Sequence, residues 1–142
     1  MHSVFDWEHP IWPHRVQMNN LGGLLPHHGS PCLEIAFKYL EQDPVFASSG
    51  YIKSGLAKRL KVMVEYKLLE PQWKSRFSRL FLNLLERGQH RDEFKAYFRL
   101  WETFISLNEL QKFDEIILTR PTNTFIKIQQ ESLHSALEMR TT

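Results

Sequence analysis

The sequence predicts a mainly α-helical protein: a compact bundle of about four helices with a small C-terminal β-hairpin and an irregular N-terminal arm. Three observations support this fold class. Between residues 31 and 110, apolar side chains recur at three- and four-residue spacing, which is typical of amphipathic helices. Two β-branched runs flank a turn-prone segment near residue 120. Prolines and glycines crowd the first 30 residues, where a long helix is therefore not expected.

Length and composition indicate one globular domain. The chain has 142 residues, of which 42% are hydrophobic and 24% charged, close to the average of folded domains. We divide it into an irregular arm rich in proline and aromatic residues (1–30), a single helical domain that ends in the hairpin (31–130), and a weakly helical or disordered tail (131–142). Charges interrupt every apolar run well before the ~20 residues that a bilayer span needs, so no membrane association is expected.

The N-terminal arm carries two tryptophans in a segment that cannot form a long helix. Pro10, Pro13 and Pro26 are too closely spaced for one. Trp7 and Trp12 are too apolar for a purely solvated tail. We expect them to pack on the chain's own domain or on a partner. The arm also lacks the basic start and apolar stretch of a signal peptide, which favours a cytoplasmic protein.

The first two helices are predicted over about 31–42 and 52–69. Ser30 is a suitable N-cap before Pro31 for the first helix, which Asp43 and the following proline end. The second has an apolar face opposite a charged one, and Pro71 is its expected stop.

The third and fourth helices are predicted over Trp73–Arg87 and Arg91–Leu110. Gly88 is the expected C-terminal punctuation of the third helix. The fourth is the most aromatic segment of the chain, and its rings fall on one side, which predicts a core position: Phe94, Tyr97, Phe98, Trp101 and Phe104.

The C-terminal hairpin is predicted from two short runs, Glu115–Thr119 and Thr124–Ile128. Both are rich in β-branched or aromatic residues, and Arg120-Pro-Thr-Asn123 between them is typical of a turn. Beyond residue 131 the helical periodicity is weak.

No catalytic constellation is recognisable, so we predict a protein that is not an enzyme and has no cofactor. His27, His28 and Cys32 could supply zinc ligands, or a thiol nucleophile with an imidazole base, but no further ligand, orienting group or oxyanion site is identifiable. The alternative is a polar loop before a helix whose cysteine is a small, partly buried side chain. No nucleophile elbow or phosphate-binding loop is present in the sequence.

The uneven distribution of charge along the chain is the clearest feature that the fold alone does not require. The segment from Lys53 to Arg79, which we call the basic island, holds eight basic residues and two acidic ones, a net charge of +6 in a chain whose total is +2. On the third helix, basic side chains and Asn83 share the face opposite the aromatic residues. The alternative is an ordinary solvated face. We predict phosphate contacts from Lys58, Lys61, Lys74, Arg76, Arg79 and Arg87.

One short segment resembles a known DNA-binding arrangement. Val64–Pro71 is similar to the end of a recognition helix in winged-helix regulators, and the predicted hairpin with Arg120 at its turn would then be the wing. The sequence departs from that family where another helix follows Pro71 in place of the wing strand. No membership of the family is inferred.

Two functions remain as alternatives. The first is a non-enzymatic accessory or regulatory protein that binds nucleic acid through a basic helical surface. The second is a protein-interaction adaptor or assembly subunit, in which Trp7 and Trp12 contact a partner groove and the basic stripe meets an acidic protein. Homo-oligomerisation stays open. We favour nucleic-acid binding slightly, because the charge asymmetry is the one feature that the fold alone does not require.

Overall fold

The computed structural model describes residues 30–45, 49–88, 91–120 and 122–141. Throughout these ranges the ordered elements are helices and no strand occurs. In chain order they are α1 (Ser30–Gln42), α2 (Ser49–Glu65), α3 (Pro71–Glu86), α4 (Phe94–Glu102), α5 (Leu107–Thr119) and α6 (Thr124–Thr141). The arm predicted over 1–30, with Trp7 and Trp12, lies outside the described residues except for its last position.

The short helix α4 forms the centre of the bundle. It packs against α2, α3 and α6, while α3 also contacts α1 and α5, and α5 contacts α6. Six of its nine residues are buried. Its three charged residues, Lys95, Arg99 and Glu102, share one face, and the rest of the helix supplies the large aromatic side chains that the other helices cover.

Phe81 on α3 is the most surrounded ring of this core. Its ring is buried completely and meets four rings of α4 edge to face, with centroid distances between 4.9 and 5.6 Å, those of Phe94, Tyr97, Phe98 and Trp101. Edge-to-face contacts are the geometry that the aromatic quadrupole favours. The prediction that the aromatic face of the fourth segment lies in the core is therefore confirmed.

The predicted C-terminal β-hairpin is wrong, because both runs are helical. Ser106 forms a capping box with Glu109 and starts α5, and Ile116 and Ile117 then continue the apolar face begun by Leu110. The expected turn connects two helices. Residue Asn123 accepts a hydrogen bond from the backbone N–H of Ile126 at 2.9 Å and so caps the start of α6.

The loss of the hairpin also removes the winged-helix comparison. Without strands in the described residues there is no wing for Arg120 to occupy, and this residue ends α5 instead. The tail predicted from residue 131 belongs to α6 as far as Thr141. Leu133 anchors that helix, since its side chain is fully buried.

The prediction of about four helices is wrong for a second reason: the fourth segment is two helices. α4 ends at Glu102, where the backbone N–H of Thr103 donates to the carbonyl of Leu100 and its hydroxyl donates to the same atom. Ser106 then caps α5 in an extended conformation. The tight hydrogen bonds at the end of α4 and the new cap at Ser106 change the direction of the chain, so the helix does not continue.

Two boundaries shift for local reasons. α2 ends at Glu65, before the predicted Leu69, because Lys67 adopts a left-handed φ of 58° and Leu68 donates to the carbonyl of Met63 at 2.8 Å. Pro71 is the first residue of α3 as well as a stop, since its missing N–H costs nothing in the first turn. At the other end of α3, Gly88 has a φ of 76° and acts as the predicted terminator.

Candidate nucleic-acid interface

The cations of the basic island divide into those paired within the fold and those left exposed. Lys53 belongs to the first group, although it was not among the predicted contact residues. Its side chain is 1% exposed, and its ammonium lies 2.8 Å from a carboxylate oxygen of Asp43 and 3.6 Å from one of Glu93. A buried ammonium needs such counter-ions, because its desolvation is otherwise too costly. Lys53 is therefore structural.

Local backbone geometry brings Asp43 to this buried cluster. α1 ends at Gln42, and Asp43 adopts a left-handed φ of 53°, a conformation that aspartate tolerates better than most residues. Its carboxylate also accepts hydrogen bonds from Arg91. Desolvation is the largest single influence on Arg91 and works against its charge, but the hydrogen bond with Asp43 and the nearby charges of Asp43 and Glu93 together outweigh it and raise the pKa of that guanidinium. The four side chains, Asp43, Lys53, Arg91 and Glu93, make a charge-balanced cluster.

Arg76 is held between two glutamates of α1. Its Nε and one terminal nitrogen donate to Glu41 at 2.9 and 2.6 Å, and its terminal nitrogens donate to Glu34 at 2.6 and 3.2 Å. The guanidinium carbon also lies 5.5 Å from the ring centroid of Phe37 and 5.6 Å from that of Trp73. This fork geometry satisfies the donors that a phosphate would otherwise use.

The electrostatic effect of this clamp is clear in both partners. The hydrogen bonds that Arg76 donates, first to Glu41 and then to Glu34, raise the pKa of Arg76, and the one accepted by Glu34 lowers the pKa of that glutamate below its ordinary value. A carboxyl whose folded pKa is lowered stabilises the fold above its unfolded pKa, and this contribution is lost as the pH falls through the folded value. Arg76 thus joins α1 to α3.

An Arg76→Met variant tests this structural role. We expect it to lower the free energy of unfolding by about 1 kcal/mol at neutral pH, since the clamp is partly solvated and screened. The loss should shrink when urea unfolding is measured at acidic pH, where the carboxylate of Glu34 that faces Arg76 becomes protonated. A Lys74→Met variant on the same helix is the control and should change little at either pH. An equal loss at both pH values would contradict the ionic origin.

Five cations of the basic island have no ion pair with any described residue. Lys61 is not one of them, because it pairs with Glu65 one turn later at 3.1 Å. All five are at least partly exposed. They are Lys58, Arg59, Lys67, Lys74 and Arg79. Arg87, just past the end of α3, is likewise exposed and outside every ion pair in these ranges.

Two of these cations line a shallow groove between α1 and α3. Arg79 and Arg87 stand on its α3 side with Asn83 between them, and Leu40 and Glu41 form its α1 side. Residues four apart on a helix share a face, so Arg79 and Asn83 of α3 and Arg87 at its C-terminal cap make a donor-rich stripe about 12 Å long, which we call the α3 stripe. Glu41 is the one acid among the described residues that line the groove, and it is already paired with Arg76.

The predicted contact residues do not all come together. Lys58 and Lys61 are on α2, which packs against α4, whereas Lys74, Arg76, Arg79 and Arg87 belong to or directly follow α3, which packs against α1, α4 and α5. Arg59 was not among the contact residues predicted from the sequence. Its position next to Lys58, on the side of α2 opposite the apolar residues, could have identified it.

The suggested metal or nucleophile site is only partly inside the described structure. Cys32 is a free, half-buried thiol in the first turn of α1 and packs against the core. Its proposed neighbours His27 and His28 lie outside the described residues. Among the residues that are described, no group of three or more histidine, cysteine, aspartate or glutamate side chains is placed to hold a metal ion.

Searches for similar proteins add no information on function. Among the described helices, none has both the length and the apolar content required to cross a bilayer. Comparison of the chain with family models, with curated proteins and with solved structures gave no match.

Proposed function

We propose that the protein is a non-enzymatic accessory or regulatory factor that binds nucleic acid through the unpaired cations of α2 and α3. One observation carries the proposal: five of the eight cations of the basic island remain without an acidic partner among the described residues after the fold has paired the others. Unpaired cations at the surface are what a phosphate backbone can neutralise with release of its counterions. Arg76 and Lys53 are excluded from the contact set, because intramolecular acids hold them.

The α3 stripe is the most favourable part of this surface for a phosphate backbone. Arg79 and Arg87 present guanidinium groups, which suit phosphate oxygens better than a point charge does, and Asn83 adds an amide donor between them. The groove behind the stripe is lined by Leu40, Leu80 and Leu84. Such contacts position a polyanion without reading its sequence, so we expect little base preference from this face.

The experiment compares the salt dependence of binding in wild type and two double variants. We expect wild type to bind mixed-sequence nucleic acid at about 50 mM salt and to lose affinity steeply at about 200 mM. Arg79→Ala/Arg87→Ala should weaken binding and reduce the slope of log K against log salt by about 2, one for each lost phosphate contact. Fluorescence anisotropy with labelled oligonucleotides measures both quantities.

The matched control is Lys112→Ala/Lys127→Ala, which removes the same charge from exposed positions of α5 and α6. Equal effects of the two double variants would contradict a specific α3 surface and indicate a general charge effect. No binding by wild type at low salt would discard the nucleic-acid proposal altogether. The adaptor function would then be tested by capture of protein partners with and without residues 1–29.

A further inference from the structure

One face of α2 is exposed over its whole length and has an unusual composition. The opposite face is buried and consists of Ser49, Ile52, Lys53, Leu56, Ala57, Leu60 and Met63. The members of the exposed face are four, three or one residues apart, within an arc of about 100° at 3.6 residues per turn. In order they are Tyr51, Gly55, Lys58, Arg59, Val62 and Tyr66. Tyr66 still belongs to the spiral, since its N–H donates to the carbonyl of Val62 at 3.0 Å.

Two tyrosines give this face its large exposed rings. Tyr51 is 66% and Tyr66 73% exposed, whereas Tyr39 and Tyr97 are completely buried. Fifteen residues separate the exposed pair, which places them about 22 Å apart along the helix. Large exposed rings are typical of binding surfaces, because they offer apolar area with few rotatable bonds to immobilise.

Gly55 interrupts this face although the fold does not require a glycine there. A Cβ at this position would meet no atom of the described residues within 4 Å, and the φ of Gly55 is not in the left-handed region. Glycine inside a helix lowers helix stability relative to alanine. What the missing side chain provides is access: another molecule can approach the helix backbone closely between Tyr51 and the cations.

Lys58 and Arg59 set the chemistry of the molecule that fits. They stand about 10 Å along the axis from both tyrosines, and neither has an ion pair within the described residues. An apolar protein surface would leave these charges without partners, whereas a polyanion would satisfy them. Proteins that bind single-stranded nucleic acid combine aromatic side chains with basic groups. The bases stack on the aromatic rings, and the phosphates contact the basic groups.

We propose that this α2 face, Tyr51–Gly55–Lys58–Arg59–Tyr66, binds single-stranded nucleic acid. The proposal rests on the function proposed above and adds the form of nucleic acid that is recognised. Phosphates contact Lys58 and Arg59, the strand passes close to the backbone at Gly55, and unstacked bases lie on Tyr51 and Tyr66. In a duplex the bases are already stacked on one another, so only a single strand can use both rings.

The test compares single-stranded and duplex oligonucleotides of one mixed sequence at about 50 mM salt. Tyr51→Leu/Tyr66→Leu keeps apolar side chains and charge but removes both rings. We expect its Kd for the single strand to rise about tenfold or more, with less than a twofold change for the duplex. Leu118→Ser/Ile128→Ser, at exposed positions of α5 and α6, is the control and should bind like wild type. Circular dichroism melting verifies that each variant is folded.

A Gly55→Ala variant gives an independent readout. We expect a higher Tm, because alanine favours the helix and its Cβ meets open space, together with a single-strand Kd raised at least threefold. A higher Tm with unchanged single-strand affinity would overturn the close approach at this residue.

The outcomes separate this inference from the function on which it rests. Suppose that wild type binds, and that the tyrosine variant either keeps the wild-type affinity for both forms or loses affinity for both to the same extent. Stacking on α2 is then overturned, while nucleic-acid binding stands. If wild type binds neither form at low salt, both proposals fail. A protein is then the partner to test for the α2 face.

Discussion

Replacing Lys53 by methionine is expected to lower the free energy of unfolding by about 3 kcal/mol at neutral pH. The substitution keeps most of the side-chain volume but leaves Asp43 and Glu93, whose side chains are 7% and 5% exposed, with Arg91 as their shared cation. Removing one partner from a buried ion cluster costs about 3–5 kcal/mol, because the remaining charge is not solvated. Because Arg91 still pairs with both carboxylates, we expect a loss at the lower end of this range. Urea unfolding followed by circular dichroism measures it.

The control for this prediction is Lys58→Met, five residues further along the same helix. Lys58 is exposed and outside every ion pair of the described residues, so its replacement should change the free energy of unfolding by less than about 0.5 kcal/mol. Adding Glu93→Gln to Lys53→Met should recover part of the loss, because it removes one of the uncompensated charges. Equal, small effects of Lys53→Met and Lys58→Met would show that the buried cluster contributes no stability.

The second large effect is expected for Phe81→Ala. The ring of Phe81 is fully buried between four aromatic side chains of α4 and lies 5.9 Å from Phe77 on its own helix. Truncation removes the transfer free energy of the ring and leaves a cavity whose rigid walls cannot close, so we expect a loss of about 3–5 kcal/mol. The same unfolding measurement applies.

Phe125→Ala is the comparison for the core prediction. Phe125 packs on Phe98 at 5.9 Å but is only partly buried at the start of α6, so its truncation leaves less of a cavity. A loss as large as that of Phe81→Ala would contradict the view that α3 and α4 hold the centre of the core. Fluorescence of Trp101, which lies 5.5 Å from Phe81, should report loosened packing in the Phe81 variant.

The paired and unpaired cations have different consequences for function. Arg76 and Arg79 are three residues apart and look equivalent in the sequence, yet one joins α1 to α3 and the other lines an open groove. A double variant of both would mix a loss of stability with a loss of binding. The experiments above therefore combine Arg79 with Arg87 and treat Arg76 separately, so that a weaker affinity is not the result of partial unfolding.

Much of the helical architecture follows from local chemistry. The segments that became α1 and α3 have long, regular apolar periodicity and explicit punctuation, with Pro31 at one start and Gly88 at one end. Those features act over a few residues and need no knowledge of the rest of the chain. The two runs near residues 115 and 125 are different. Short β-branched segments fit a strand or a buried helix equally well. The capping box at Ser106, with the packing of α5 on α3 and of α6 on α4, decides for the helix.

The sequence by itself determined the helical class, the aromatic core and the excess of positive charge between Lys53 and Arg79. Only the tertiary structure decided which of those charges are available, because the acids that hold Arg76 come from α1 and Lys53 pairs with Glu93, in each case across more than 30 residues. It also showed which face of α2 the core leaves uncovered. Ion pairs and burial depend on how distant segments meet, and no local pattern of residues contains that information.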